Sequence, residues 1–169
     1  MVIVSDTTAI SNLIRIHELH LLHKLYSHVL IPEAVFNELM VLETKGFEVR
    51  AILSQPWLTV EVITPDSIPQ PLYNNEHLDP GELEAIALAL EKKADYLIID
   101  ELAGRKAAIQ FGIEVVGTLG ILLAAKKAGF IRNVKEKMDD LRSIGFWISD
   151  NLYNKVISFE KQMGSTNSA

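Results

Sequence analysis

The sequence predicts an α/β fold, a three-layer α/β/α sandwich around a central, mostly parallel five-stranded sheet, with extra helices at the C-terminal end. Three observations predict it. Short, apolar strand patterns alternate with helical periodicity, as expected for strands covered on both faces by crossover helices. Two of these strands, Val2-Ile3-Val4-Ser5 and Tyr96-Leu97-Ile98-Ile99, run directly into an aspartate. The best-marked helix start in the chain, Asp79-Pro80-Gly81-Glu82, falls between two strand patterns.

In chain order, residues 2–5 read as the first strand. Ile10, Leu13, Ile14, Leu21 and Leu25 then recur at helical spacing over 8–26, with a possible break near Arg15-Ile16-His17. Val29-Leu30-Ile31 is a second strand, closed by Pro32, which also suits the first turn of a helix running to about Glu43. There Val35, Leu39 and Leu42 form the apolar stripe, and Glu38 lies on its flank. A short helix over 48–54 precedes a β-branched, alternating third strand over 57–63. The proline-rich stretch 64–78 reads as a mobile loop. The capped helix over 80–90 is apolar nearly all round and therefore buried. A fourth strand ends at Asp100, a helix covers 104–110, a fifth strand covers 113–116, and helices follow over 118–128, 134–143 and 150–162. Residues 1–160 thus read as a single domain, and 161–169 as a disordered tail.

The chain has 169 residues, enough for one domain with a sizeable core. There is no cysteine, which excludes disulfides, thiolate metal sites and cysteine catalysis, and suits a cytoplasmic protein. No apolar run approaches the length of a membrane span, so no membrane is expected as a partner. A net charge of −6 argues against a simple phosphate-neutralising nucleic-acid binder. It is compatible with clustered carboxylates that hold cations, which in turn meet phosphate.

Four acids stand out: Asp6, Glu38, Glu82 and Asp100. Asp6 and Asp100 each end a buried strand, at the edge where open α/β sheets bind ligands. Like charges held this close repel unless a cation is present, and an all-oxygen set favours Mg²⁺ or Mn²⁺. Singly, each acid has an ordinary structural reading. Asp6 suits a helix N-cap and Glu82 a capping box. Glu38 suits a solvated helix flank, and Asp100 the start of a turn. Their joint placement points to a site.

The strings Asp6-Thr7-Thr8, Pro32-Glu33-Ala34-Val35-Phe36-Asn37-Glu38 and Gly81-Glu82-Leu83-Glu84-Ala85-Ile86, the last leading into Leu97-Ile98-Ile99-Asp100, resemble the PIN-domain family. With Gly117-Thr118-Leu119-Gly120 and Ala125-Lys126-Lys127-Ala128-Gly129, the likeness extends to a subfamily related to VapC toxins and covers about residues 1–150. The resemblance implies an endoribonuclease that cuts single-stranded RNA with Mg²⁺ or Mn²⁺, with Asp6, Glu38, Glu82 and Asp100 as metal-binding and catalytic acids. A glutamate stands where the family usually has an aspartate, and Glu84 is the alternative for that place. Thr7 and Arg105 are the expected substrate contacts; a homodimer and an antitoxin protein are the expected protein partners. A surface ion pair is the competing reading for Arg105.

Other signals weigh less. His17, His20 and His23, three apart with His28 beyond, drift around a helix surface and read as a solvated face. Lys126, Lys127, Arg132, Lys135 and Lys137 form a basic run that either guides RNA or is simply solvated. Leu119, Leu122, Leu123 and Phe130 suit the core or a dimer interface equally. Neither a dinucleotide fingerprint nor a nucleophile elbow is present.

Overall fold

In the computed structural model, residues 1–165 are described, with side chains through 162. Five strands form one sheet: β1 (Ile3–Ser5), β2 (Val29–Pro32), β3 (Leu58–Glu61), β4 (Tyr96–Ile98) and β5 (Val115–Val116). Their order is β3-β2-β1-β4-β5, and every pairing is parallel. The chain therefore winds outward from β1 in one direction and returns to start the other half at β4. The boundary between β1 and β4 is the topological switch point. Its register pairs Val4 with Leu97 and Ser5 with Ile98, so Asp6 and Asp100 leave the sheet at the same edge.

The strand period of two divides the core into two layers. Ile3, Ile31 and Ile98 face one layer, together with α1 (Thr7–Arg15), α2 (His20–Tyr26), α8 (Thr118–Lys127) and α9 (Val134–Ser143). Val4, Leu97 and Ile99 face the other, against α6 (Pro80–Glu91) and α7 (Leu102–Gln110). The fold is the expected three-layer α/β/α sandwich, and its sheet is wholly parallel. The remaining helices are α3 (Glu33–Leu39), α4 (Val49–Leu53), α5 (Gln70–Tyr73) and α10 (Asp150–Ser165). Among the described residues, no helix is long and apolar enough to cross a membrane.

Local differences from the sequence pattern have physical causes. The break expected near Arg15-Ile16-His17 falls after Arg15, where His17 takes φ 58° and Glu18 donates back to the Leu13 carbonyl at 2.8 Å. The helix from Glu33 stops at Leu39 and tightens into a 3₁₀ segment, Met40–Lys45, closed by left-handed Gly46. The stretch 64–78, expected as a loop, holds a 3₁₀ turn (Pro65–Ser67) and α5, because Leu72 is anchored in the core at 1% exposure. The last helix continues to Ser165, past the start expected for the tail, and residues 166–169 of that tail lie outside the described residues. Leu122 is fully buried and Leu119 and Leu123 pack against the same layer, so this helix face serves the core.

α6 ends with Lys93 in a left-handed conformation, φ 50°, bonded as a Schellman turn through Lys93 to Leu90 and Ala94 to Ala89. Glycine takes that conformation without a Cβ clash, so Lys93→Gly is expected to raise stability by about 0.5–1 kcal/mol. Urea unfolding of the two proteins checks it, and a loss of stability would contradict it.

Candidate active site

Each acid is placed by the element that precedes or carries it. Asp6 follows β1 and caps α1: its Oδ1 accepts from the Ala9 amide at 3.1 Å, and its own amide donates to Ile98 on β4 at 2.9 Å. Glu82 closes the capping box of α6, accepting from the Asp79 amide through Oε2 at 3.0 Å, while its amide donates to Asp79 at 2.7 Å. Both structural readings therefore hold, but each uses one carboxylate oxygen. The second oxygens, Asp6 Oδ2 and Glu82 Oε1, are buried and complete no hydrogen bond, although the Asp100 and Gly104 amides lie close enough to favour the ionised forms of Asp6 and Glu82 respectively. Native proteins rarely leave buried acceptors unpaired, because each forfeits its hydration.

Asp100 is held by the residue that starts α8. Thr118 donates to it twice, through its amide to Oδ1 at 2.8 Å and its hydroxyl to Oδ2 at 2.5 Å. Gly117 leaves room for this approach, since a Cβ there would stand 2.7 Å from Asp100 Oδ1. Glu38 is held differently: Oε2 accepts from the Thr7 hydroxyl and Oε1 from the Gly81 amide at 2.9 Å. A Cβ on Gly81 would stand 2.6 Å from Glu38 Oε2 and 2.8 Å from Thr7 Oγ1, so any larger residue at this crossing would displace the Glu38 carboxylate.

Burial pushes the Asp6 carboxyl well above the usual carboxylate range, and the charges of Asp100 and Glu82 push it further. Burial also raises Glu82, aided by Asp79 and Glu101; Glu82 is 5% exposed but less deeply enclosed than Asp6, and rises less. Asp100 is raised by burial and held back by its Thr118 bonds, the Arg105 guanidinium and Asn12. The Asn12 amide lies close enough to favour ionised Asp100, although its Nδ2 completes no hydrogen bond.

The structure thus brings Asp6 within electrostatic reach of both Asp100 and Glu82. Glu38 sits at the side, through Thr7 and Gly81, the sequence neighbours of Asp6 and Glu82. Glu84, the alternative to Glu82, is turned away and accepts from the Ala34 amide at the start of α3, at 3.0 Å. Thr7 spends its hydroxyl on Glu38. Arg105 stands beside Asp100 and donates one guanidinium nitrogen to the Ile99 carbonyl at 2.8 Å. Sequence reasoning missed Thr118 and Asn12 as site residues; the signal for Thr118 was a hydroxyl opening a helix after the strand next to β4.

The other candidates have separate partners. His23 stacks on Trp57, His28 meets the Thr59 hydroxyl at 3.2 Å and His20 approaches Glu18 at 3.8 Å. In the basic run, Lys126 pairs with Glu160 at 3.5 Å, Lys135 with Asp139 at 2.8 Å and Lys137 with Glu18 at 2.8 Å.

An acid whose pKa is raised by folding binds its proton more tightly folded than unfolded. Its contribution to stability is therefore full below the ordinary carboxylate range and is lost as pH rises through the raised value. In EDTA, the protein is expected to lose stability as pH rises from about 4. Asp6→Asn keeps the cap acceptor and removes the buried charge, so it should flatten that profile and gain about 1 kcal/mol at neutral pH. Urea midpoints across the pH range check both; a less stable variant at neutral pH would contradict them.

A family model described as a PIN domain matches residues 2–162, nearly the full length of the chain and all four acids. None of the curated proteins compared with the chain matches it. PIN domains are in general nucleases that use divalent metals and bind nucleic acid, which agrees with acids gathered at the switch point of a parallel sheet. The chain belongs to the PIN-domain family.

Proposed function

We propose that the chain is a divalent-metal-dependent endoribonuclease that hydrolyses phosphodiester bonds of single-stranded RNA. The observation that carries this reading is the pair of buried, unpartnered oxygens, Asp6 Oδ2 and Glu82 Oε1, beside Asp100. A purely structural cap does not call for a second buried oxygen without a partner, whereas a cation ligand does.

The residues fit Mg²⁺ or Mn²⁺ by donor chemistry: the acids offer oxygen only, and burial, with neighbouring acids adding to it at Asp6 and Glu82, raises their pKa values as it does for anions without a counter-ion. Asp6 and Glu82 would hold the ion, with Asp100 completing the set. Among the described residues, no three His, Asp or Glu side chains already converge closely enough to do so. Bound there, a divalent ion would acidify water and neutralise phosphate charge. The chain's own groups do the rest. Thr118 fixes the Asp100 carboxylate, so that it meets the site in one orientation. Thr7 and Gly81 fix Glu38, half-buried at the rim, where it can accept the proton of an attacking water. Arg105, beside Asp100, has guanidinium donors left for a phosphate oxygen.

The same reading makes the chain the cytoplasmic toxin of a toxin–antitoxin pair, a homodimer neutralised by a small antitoxin protein. Its support is the resemblance to the VapC-related subfamily. A second reading, a PIN-fold nucleic-acid-binding module without catalysis, is favoured by the lack of a preformed three-acid cluster among the described residues.

Purified protein is expected to cleave single-stranded RNA with Mn²⁺ or Mg²⁺. EDTA should abolish the cleavage, Asp6→Asn or Asp100→Asn should lower it by roughly 100-fold or more, and Glu84→Gln should leave it intact. Gel assays of labelled RNA read all four. Cleavage unchanged in both aspartate variants would remove the assigned site. RNA bound but never cut under any metal condition would establish the binding module.

A further inference from the structure

Beside Asp100 lies an open groove of about 400 Å³, bordered by Thr8, Asn12, Arg15, Asp100, Phe146 and Trp147. That volume suits a small planar ligand or part of one. One wall is the segment between α9 and α10, and this segment is unusually well tied down. α9 ends in a Schellman turn, with Gly145 at φ 91° bonded to Arg142 at 3.0 Å and Phe146 to Leu141 at 3.0 Å. Arg15 on α1 donates to the Ile144 carbonyl at 2.7 Å, and Arg142 to the Ile148 carbonyl at 2.8 Å. Phe146 and Ile148 turn into the core. Trp147, between them, is 82% exposed.

A large aromatic held this firmly and yet left in water has no structural task. Its position along the groove from a site acid gives it another. The groove also suits phosphate poorly: two carboxylates, Asp100 and Glu101, border it against a single cation, Arg15. An uncharged planar group fits better. Asn12, buried at 5% exposure with an unpartnered Nδ2, offers such a group a donor at the groove wall.

We propose that this groove is a subsite for one unpaired nucleobase of single-stranded RNA, stacked on the Trp147 indole beside Asp100. The proposal rests on the nuclease reading above and names the groups that recognise its substrate. Stacking of this kind tolerates any base, because every base has a π face, but it requires the base to be out of a duplex. Trp147 is thus a substrate-contacting residue that selects strandedness, and Arg15 is a positioning residue that holds its loop. A second copy of the chain would call for a broader apolar face than one edged by two carboxylates and an amide.

The test measures binding of short single-stranded and duplex oligoribonucleotides to the full chain in EDTA, where binding is separated from cleavage. The chain has two tryptophans, so Trp57→Phe leaves Trp147 as the sole reporter. Its fluorescence is expected to be quenched by single-stranded RNA. Trp147→Ala should weaken single-strand binding roughly 5- to 100-fold, Trp147→Phe should retain most of it, and duplex binding should not change. Single-strand affinity unchanged in Trp147→Ala would overturn the subsite and leave the nuclease reading standing. A Trp147→Ala change in sedimentation from dimer to monomer, with RNA affinity untouched, would also overturn it and assign the indole to a second copy. No single-strand binding by the wild type in EDTA would overturn the subsite, whereas the nuclease reading falls only if RNA is neither bound nor cut with Mn²⁺ or Mg²⁺ present.

Discussion

The structure depends on keeping several carboxylates at one edge of a parallel sheet, where little water reaches them. Helix N-termini make this tolerable. Asp6 accepts from the first turn of α1, Glu38 from the first turn of α6 and Asp100 from the first residue of α8. Each amide carries part of a helix's positive end, which offsets some of the cost of burying an anion. The offset is incomplete: Asp6, Glu82 and Asp100 all keep raised pKa values. An arrangement this unfavourable without a counter-ion is a common mark of a functional site.

Sheet order makes the gathering possible. Because β1 and β4 are neighbours, one acid from the first strand and one from the fourth meet although 94 residues separate them (100 − 6). α6 returns across the sheet and delivers Glu82 through its capping box, while its Gly81 amide reaches across to Glu38 on α3. Capping and the candidate site here share the same carboxylates, one oxygen of each capping its helix and the other left over. That economy explains why Asp6 and Glu82 look like plain caps in the sequence.

Much of this was legible in the residues. Apolar strand patterns, a proline-marked helix start and two strand-ending aspartates gave the layers, the switch point and three of the acids, because each depends on local pattern. What failed depended on distant contacts. The break near His17 was expected, but the short α5 was not, and it follows from the packing of Leu72 into the core. The choice between Glu82 and Glu84 turns on a 3.0 Å bond to Ala34, fifty residues away in sequence (84 − 34). Thr118 stood inside the Gly117-Thr118-Leu119-Gly120 string without being singled out, and Asn12 and Trp147 carried no motif. Trp147 is indistinguishable in sequence from Phe146 and Ile148 beside it, which turn inward.

The claim at the centre of this account is that Asp6 Oδ2 and Glu82 Oε1 await a cation. Titration of the metal-free protein with Mn²⁺, followed by electron paramagnetic resonance of the free ion, tests it without reference to RNA. The account predicts a site in the wild type that is lost or weakened roughly 10- to 100-fold in Asp6→Asn and in Glu82→Gln, and retained in Glu84→Gln. Equal Mn²⁺ binding by the wild type and both site variants, or loss of binding only in Glu84→Gln, would contradict it.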